Sequence, residues 1–210
     1  AYDQIRKHMI ALLKNGTLIA SHPLQQLTRL LQLSSAYVEM DKDNDVLLTE
    51  PSCKIDALED VIEESGGKQL VVFAESRQLI EVAAARLEKR GVSHVLVTGS
   101  VSEAERAVAV DRFQRGDVSV ILLTMGAGGE GITLTAADTA IFLQRSFSSI
   151  KNLQAEDRIH RIGQEAQAVT IIDILSENTV ESRVHETMLD KAEKLEEVCR
   201  DAETLRMWLS

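Results

Sequence analysis

The sequence predicts an α/β fold built on an open parallel sheet flanked by helices, with a helical N-terminal segment and a long C-terminal helix. Two observations predict it. From Lys68 onward, short runs rich in Val, Ile and Leu alternate with longer amphipathic runs, the pattern of strands buried on both faces and of the helices that cover them. On either side of that block, apolar residues recur at helical spacing instead.

The elements follow in order. Ile5, Met9, Leu12 and Leu13 share a helical face, Asn15-Gly16 breaks the run, and Leu24, Leu27, Leu30, Leu31 and Leu33 form a second face, so residues 1–65 read as helical. Asp41-Lys-Asp-Asn-Asp45 is a charged loop, and Ser52 or a neighbour caps a helix carrying Ile55, Leu58, Val61 and Ile62 that ends at Gly66-Gly67. Leu70–Ala74 is the first buried strand. Ser76 caps the helix behind it, which runs through Leu79, Ile80, Ala83 and Leu87 to Gly91. Val95–Val97 is the second strand, closed by Thr98-Gly99-Ser100, and Glu103–Gln114 is an amphipathic helix with Ala107, Val110 and Phe113 inward. Val118–Leu123, Thr139–Leu143 and Val169–Ile174 supply the remaining strands. The tail from Asn178 to Ser210 reads as one charged helix with Val180, Val184, Met188, Leu195, Val198, Leu205 and Trp208 as its apolar set. The expected division is 1–66 as a helical linker or brace, 67–176 as the sheet-bearing lobe, and 177–210 as a helix packed on it.

Composition narrows the function. A 210-residue chain with 44% apolar residues has enough hydrocarbon for a full core and is not a disordered segment. Its net charge of −10 opposes holding nucleic acid by bulk electrostatics, so any contact with phosphate must be local. Cys53 and Cys199 stand alone and read as reduced intracellular thiols. No metal is expected: His8, His22, His94, His160 and His185 are scattered, and His185-Glu186 has Leu189 where a zinc-protease helix needs its second histidine. No signal sequence and no membrane-spanning apolar run is present, which makes an intracellular location the expectation, and Ala1 in place of methionine suggests a fragment or a processed chain.

Gln154-Ala-Glu-Asp-Arg-Ile-His-Arg-Ile-Gly-Gln164 carries the densest chemistry. On a helix, Gln154, Arg158 and Arg161 share one face, while Ala155, Ile159 and Ile162 form an apolar stripe. Two guanidiniums three residues apart on a rigid element suit the clamping of charge on a phosphoryl group. The alternative is a solvated face with an intrahelical pair between Asp157 and Arg161.

Gly126-Ala-Gly128-Gly129-Glu-Gly131 follows a strand and satisfies G-x-G-x-x-G, so a dinucleotide site must be weighed. That site needs a helix opening at the glycines and an acid at the end of the next strand. Only Ile132 to Asp138 separate the glycines from the next strand, and that strand ends in Gln144-Arg145.

Gln154-x-x-Asp157-Arg158-x-His160-Arg161-Ile162-Gly163-Gln164 resembles the last helicase motif of the Swi/Snf family of superfamily-two ATPases. Ala127-Gly-Gly-Glu-Gly-Ile-Thr-Leu-Thr-Ala-Ala-Asp138 is similar to that family's strand-to-strand glycine motif, Phe73-Ala-Glu-Ser76 to the motif opening its second lobe, and Gly99-Ser100 with Arg106 and Phe113 to its glycine-serine, arginine, phenylalanine block. Lys54-Ile55-Asp56 matches its lysine, aliphatic, aspartate turn, which also reads as part of a packing helix.

The resemblance implies a RecA-like lobe. It implies Arg161 as an arginine finger, Arg158 as a second catalytic phosphate contact, and Gln154, Gly129 and Gly131 as borders of the ATP cleft. Ser76, Arg77, Gly99, Ser100 and Thr124 would meet the DNA backbone, although Ser76 equally suits a helix cap and Arg106 a structural ion pair. Gly126 stands where many members carry a basic residue, and Phe147-Ser148-Ser149 where many carry Trp-Asn-Pro. Thr133 and the Gln-Ala-Glu-Asp-Arg form point towards the fork-remodelling branch.

No G-x-x-x-x-G-K-[ST] loop and no Mg²⁺-binding acidic motif occurs. The chain is then expected to be the second lobe of a DNA-dependent ATPase, with ATP and Mg²⁺ bound mainly by a first RecA-like lobe and with double-stranded or forked DNA as partner. Alone it should turn over no ATP. Its compartment would be the cytoplasm if prokaryotic or viral and the nucleus if eukaryotic. The competing reading is a non-catalytic scaffold that keeps the fold for binding.

Overall fold

Residues 1–127, 132–164 and 166–187 are described by a computed structural model. The first stretch is not uniformly helical, which corrects the reading of residues 1–65. Helix α1 (Tyr2–His8) is followed by strands β1 (Ile10–Leu13) and β2 (Gly16–Ile19), paired antiparallel around the Asn15-Gly16 turn. After helix α2 (Pro23–Ser35), strands β3 (Tyr37–Met40) and β4 (Val46–Thr49) form a second hairpin. Both hairpins obey a period of two that short apolar runs do not distinguish from a helix: Ala11 and Leu18 are buried while Ile10, Leu12 and Ile19 face out, and Val38, Met40, Val46 and Leu48 are buried on one side of the other. The charged Asp41–Asp45 loop is the second turn, tied by the Asp41 carboxylate, which accepts from the amides of Asp43 and Asp45 at 2.9 and 2.8 Å. Helix α3 (Cys53–Glu64) then forms as expected, capped by Ser52.

The block from β5 onward follows the predicted alternation: β5 (Leu70–Ala74), α4 (Arg77–Lys89), β6 (His94–Val97), α5 (Glu103–Gln114), β7 (Val120–Thr124), β8 (Thr139–Phe142), α6 (Ser149–Glu156) and β9 (Thr170–Asp173). The five strands lie parallel in the order β6-β7-β5-β8-β9. Every residue of β5 and β7 is buried, as parallel strands covered on both faces require. One face packs Leu70, Val72, Leu122 and Ile141 against α3 and α4 through Ile55, Leu58, Leu79 and Ile80, in a cluster that continues into both hairpins. The other packs Val71, Phe73, Leu123 and Phe142 against α5, α6 and the segment after it through Ala109, Phe113, Ala155 and Ile159. Ala107 is exposed, which corrects its place on the inward line of α5; Val110 and Phe113 pack inward as expected, joined by Ala109 and the partly buried Arg106.

Polar ties hold the N-terminal elements to the lobe. The Arg86 guanidinium on α4 bonds Glu50, Asp56 and Glu59 at 2.8, 3.0 and 2.6 Å. Lys54 is 1% exposed, and its ammonium donates to the carbonyls of Leu143 and Ile174 and to the Glu181 carboxylate at 2.5, 2.8 and 2.5 Å. Burial pushes its pKa below the usual lysine value, and Glu181 opposes that shift. Glu181 lies in residues 180–187, which are helical and begin the expected C-terminal helix; Met188 to Ser210 lie outside the described residues. Among the described residues no helix is long and apolar enough to cross a membrane, and no His, Cys, Asp and Glu cluster could hold a metal ion.

Candidate functional site

Chain direction reverses at the centre of the sheet. The chain leaves β5 towards β6 and leaves β8 towards β9, so the loops at the carboxyl ends of these two adjacent strands diverge and open a crevice, the position where open α/β sheets bind ligands. Gln144, buried at the end of β8, spans it: its Oε1 accepts from the amide of Ser76 at 2.9 Å.

The predicted DNA-facing residues all lie at this carboxyl edge. Ser76 is the cap of α4, accepting from the Leu79 amide at 3.3 Å, and the exposed Arg77 pairs with Glu81 at 2.7 Å. An ion pair so exposed is worth little and leaves the guanidinium available. Gly99 and Ser100 follow β6 and are exposed, with the Ser100 hydroxyl 2.9 Å from that of Thr98, and Thr124 is buried at the end of β7. Gly129 and Gly131 lie outside the described residues.

The arginine motif does not form one helix. Helix α6 is capped by Ser148 and ends at Glu156, after which the chain turns: the amides of Arg158 and Ile159 donate three residues back, to Ala155 and Glu156. The reason is tertiary. The carbonyl of Arg158, which a continuing helix would use internally, accepts from the Leu134 amide at 2.8 Å, and the Gln164 side chain donates to the carbonyls of Ala137 and Ile159 at 2.8 and 3.2 Å. The expected apolar stripe is therefore corrected as well. Ala155 and Ile159 are fully buried, but Ile162 is 101% exposed.

Breaking the helix does not disperse the cations. Gln154, Arg158 and Arg161, with Met125, Gly126 and Lys151, line a cleft of about 820 Å³ at the carboxyl edge. The exposed Arg161 donates from Nη1 to the Thr133 hydroxyl at 3.0 Å. Arg158 is half-buried, with its guanidinium carbon 6.0 Å from the centre of the Phe73 ring and its Nη1 buried without an acceptor. Burial first, then the like charge of Arg106, hold its pKa below the ordinary arginine value. A second hollow of about 470 Å³ at the opposite end of the sheet, by Lys68, Gln114 and Asp138, has no such convergence of cations.

Arg145 fixes the base of this wall. Its guanidinium binds both oxygens of Asp173 on β9 at 2.5 and 3.0 Å and Glu156 at the end of α6 at 2.5 Å, and it lies 4.0 Å over the Phe142 ring. Burial lowers its pKa, but the two carboxylates outweigh that and raise it. Arg145→Ala strands both acids half-buried and is expected to lower unfolding free energy by about 1.5–3 kcal/mol, readable as a shifted urea midpoint with unchanged slope. Gln144 and Arg145 stand out in the sequence as the polar end of an apolar strand, but no motif assigns either a role.

The chain matches the family described as "Helicase conserved C-terminal domain" over residues 53–163, more than half of its length. It is 36% identical over 146 residues to "Chromodomain-helicase-DNA-binding protein 1-like" of Danio rerio, covering 69% of this chain and 14% of that protein. To "Chromatin-remodeling ATPase INO80" of Vanderwaltozyma polyspora it is 33% identical over 175 residues, 82% of this chain and 11% of that protein. The chain thus spans about a seventh or less of these relatives. Among solved structures, the C-terminal part of the Fun30 ATPase domain superposes with a TM-score of 0.60 at 27% identity, covering 64% of this chain and 44% of that one. The Pyrococcus furiosus Hef helicase domain shares the fold, with a TM-score of 0.53 over 64% of this chain and 28% of that one, at 23% identity. Motifs, sheet order and these likenesses agree: the chain belongs to the helicase conserved C-terminal domain family, as a RecA-like lobe of the Swi/Snf type.

Proposed function

We propose that this lobe is the second half of an ATP-driven translocase on double-stranded or forked DNA. The observation that carries the reading is the cleft wall on which Arg158 and Arg161 converge, with an Arg158 nitrogen buried and lacking an acceptor. A desolvated guanidinium N–H without an acceptor fits an oxyanion, and the terminal phosphoryl group of ATP supplies one. In this reading the metal and the remaining phosphates fall to a first RecA-like lobe facing this wall.

In this arrangement Arg161, anchored beside Thr133, stabilises charge as the terminal phosphoryl group is transferred to water, Arg158 holds a second oxygen, and Gln154 orients them from the end of α6. Ser76, Arg77, Gly99, Ser100 and Thr124 line the same carboxyl edge, and phosphate contacts there are local, as a chain of net charge −10 requires. The names of the relatives support ATP use and DNA as the substrate class. The two relatives named above come from eukaryotes, which favours a nuclear setting over a cytoplasmic one.

The test is ATP turnover by the whole protein with and without duplex DNA. Stimulation by DNA is the expected result. A protein that binds DNA but never turns over ATP would make the lobe a scaffold instead.

A further inference from the structure

Arg106 occupies a place where helices put apolar residues. It shares the inward line of α5 with Ala109 and Phe113, both buried in the cluster that contains Phe73. Its Nε is buried without an acceptor. Its charge is felt by Arg158, whose guanidinium carbon lies 6.0 Å from the centre of the Phe73 ring of that same cluster and which has a buried, unpaired nitrogen of its own. Among the described residues neither guanidinium has a carboxylate within ion-pair distance, whereas Arg86, Arg90, Arg115 and Arg145 all do. Unpaired buried N–H groups and adjacent like charges both destabilise a fold, so this pair raises the energy of the lobe without an anion.

We infer that Arg106 is a positioning residue for phosphate recognition: a fixed like charge behind Arg158 that keeps the Arg158 guanidinium unpaired and turned towards the cleft. Arg158 lines the cleft and Arg106 does not, so Arg106 acts through Arg158 and does not touch the nucleotide. An oxyanion arriving in the cleft relieves the repulsion and the missing hydrogen bond together. The inference rests on the reading of the cleft as a phosphoryl site.

The experiment compares the whole protein with its Arg106→Met and Arg106→Lys variants by DNA-stimulated ATP turnover and by thermal unfolding. Methionine fills much of the same space without charge. It is expected to lower kcat by up to about 10²-fold while raising Tm by about 2 to 4 °C, because the unpaired charge is gone. Lysine keeps the charge and is expected to restore most of the turnover. Arg106→Met with wild-type turnover overturns the inference. So does a loss of turnover that comes with a lower Tm and that lysine does not restore, since both mark a packing role. Absence of turnover in the unmodified protein overturns the phosphoryl-site reading itself, and this inference with it.

Discussion

Arg161→Ala in the whole protein is expected to lower DNA-stimulated ATP turnover by about 10³- to 10⁵-fold, the range an arginine acting on a transferring phosphoryl group supplies. DNA affinity should change little, because the residues proposed to meet DNA lie at the ends of β5, β6 and β7 and not on the arginine turn. Stability should change little as well, because Arg161 is exposed. Arg161→Lys should recover only a small part of the rate, since an ammonium cannot present two coplanar N–H groups to a phosphate. Steady-state turnover beside a filter or fluorescence assay of duplex binding separates the two effects. A variant that loses DNA binding and turnover in parallel would place Arg161 in the DNA path and remove it from the chemistry.

Lys54→Met is expected to cost about 3–5 kcal/mol of unfolding free energy, the usual penalty for leaving one partner of a buried ion pair behind. Three acceptors from three parts of the chain converge on this ammonium: the end of β8, the segment after β9, and Glu181 in the C-terminal helix. Methionine spans the same length but abandons the Glu181 carboxylate in a place where it is 6% exposed. The double variant Lys54→Met with Glu181→Leu should regain much of the loss, because apolar replacements of a buried pair are often tolerated. Equilibrium urea unfolding of the four proteins in this cycle measures the coupling. A single variant as stable as the parent would mean that water reaches Glu181.

Long-range alternation and helix capping were legible in the sequence. Strands such as β5 and β7, apolar at every position and bounded by turn residues, could be read as strands because amphipathic helices of sufficient length lay between them, and Ser52 and Ser76 cap the helices assigned to them. The hairpins of the first fifty residues were hidden because four-residue strands give too few repeats to separate a period of two from one of 3.6. The motif arginines were legible by type and spacing, but not their backbone: a hydrogen bond from Leu134, twenty-four residues earlier, ends the helix at Glu156. Arg106 was read as suiting a structural ion pair, and only the packed structure shows its Nε buried without an acceptor.

The same hydrogen bond has a mechanical consequence. With Leu134 bound to the Arg158 carbonyl, and Gln164 bridging Ala137 and Ile159, the arginine-bearing turn and the β7–β8 connection are laced into one plate. A pull on that connection therefore has a direct route to the arginines, through one backbone hydrogen bond and the Gln164 side chain. The plate is hung from the sheet at the buried Ile159 and braced at Glu156 by Arg145.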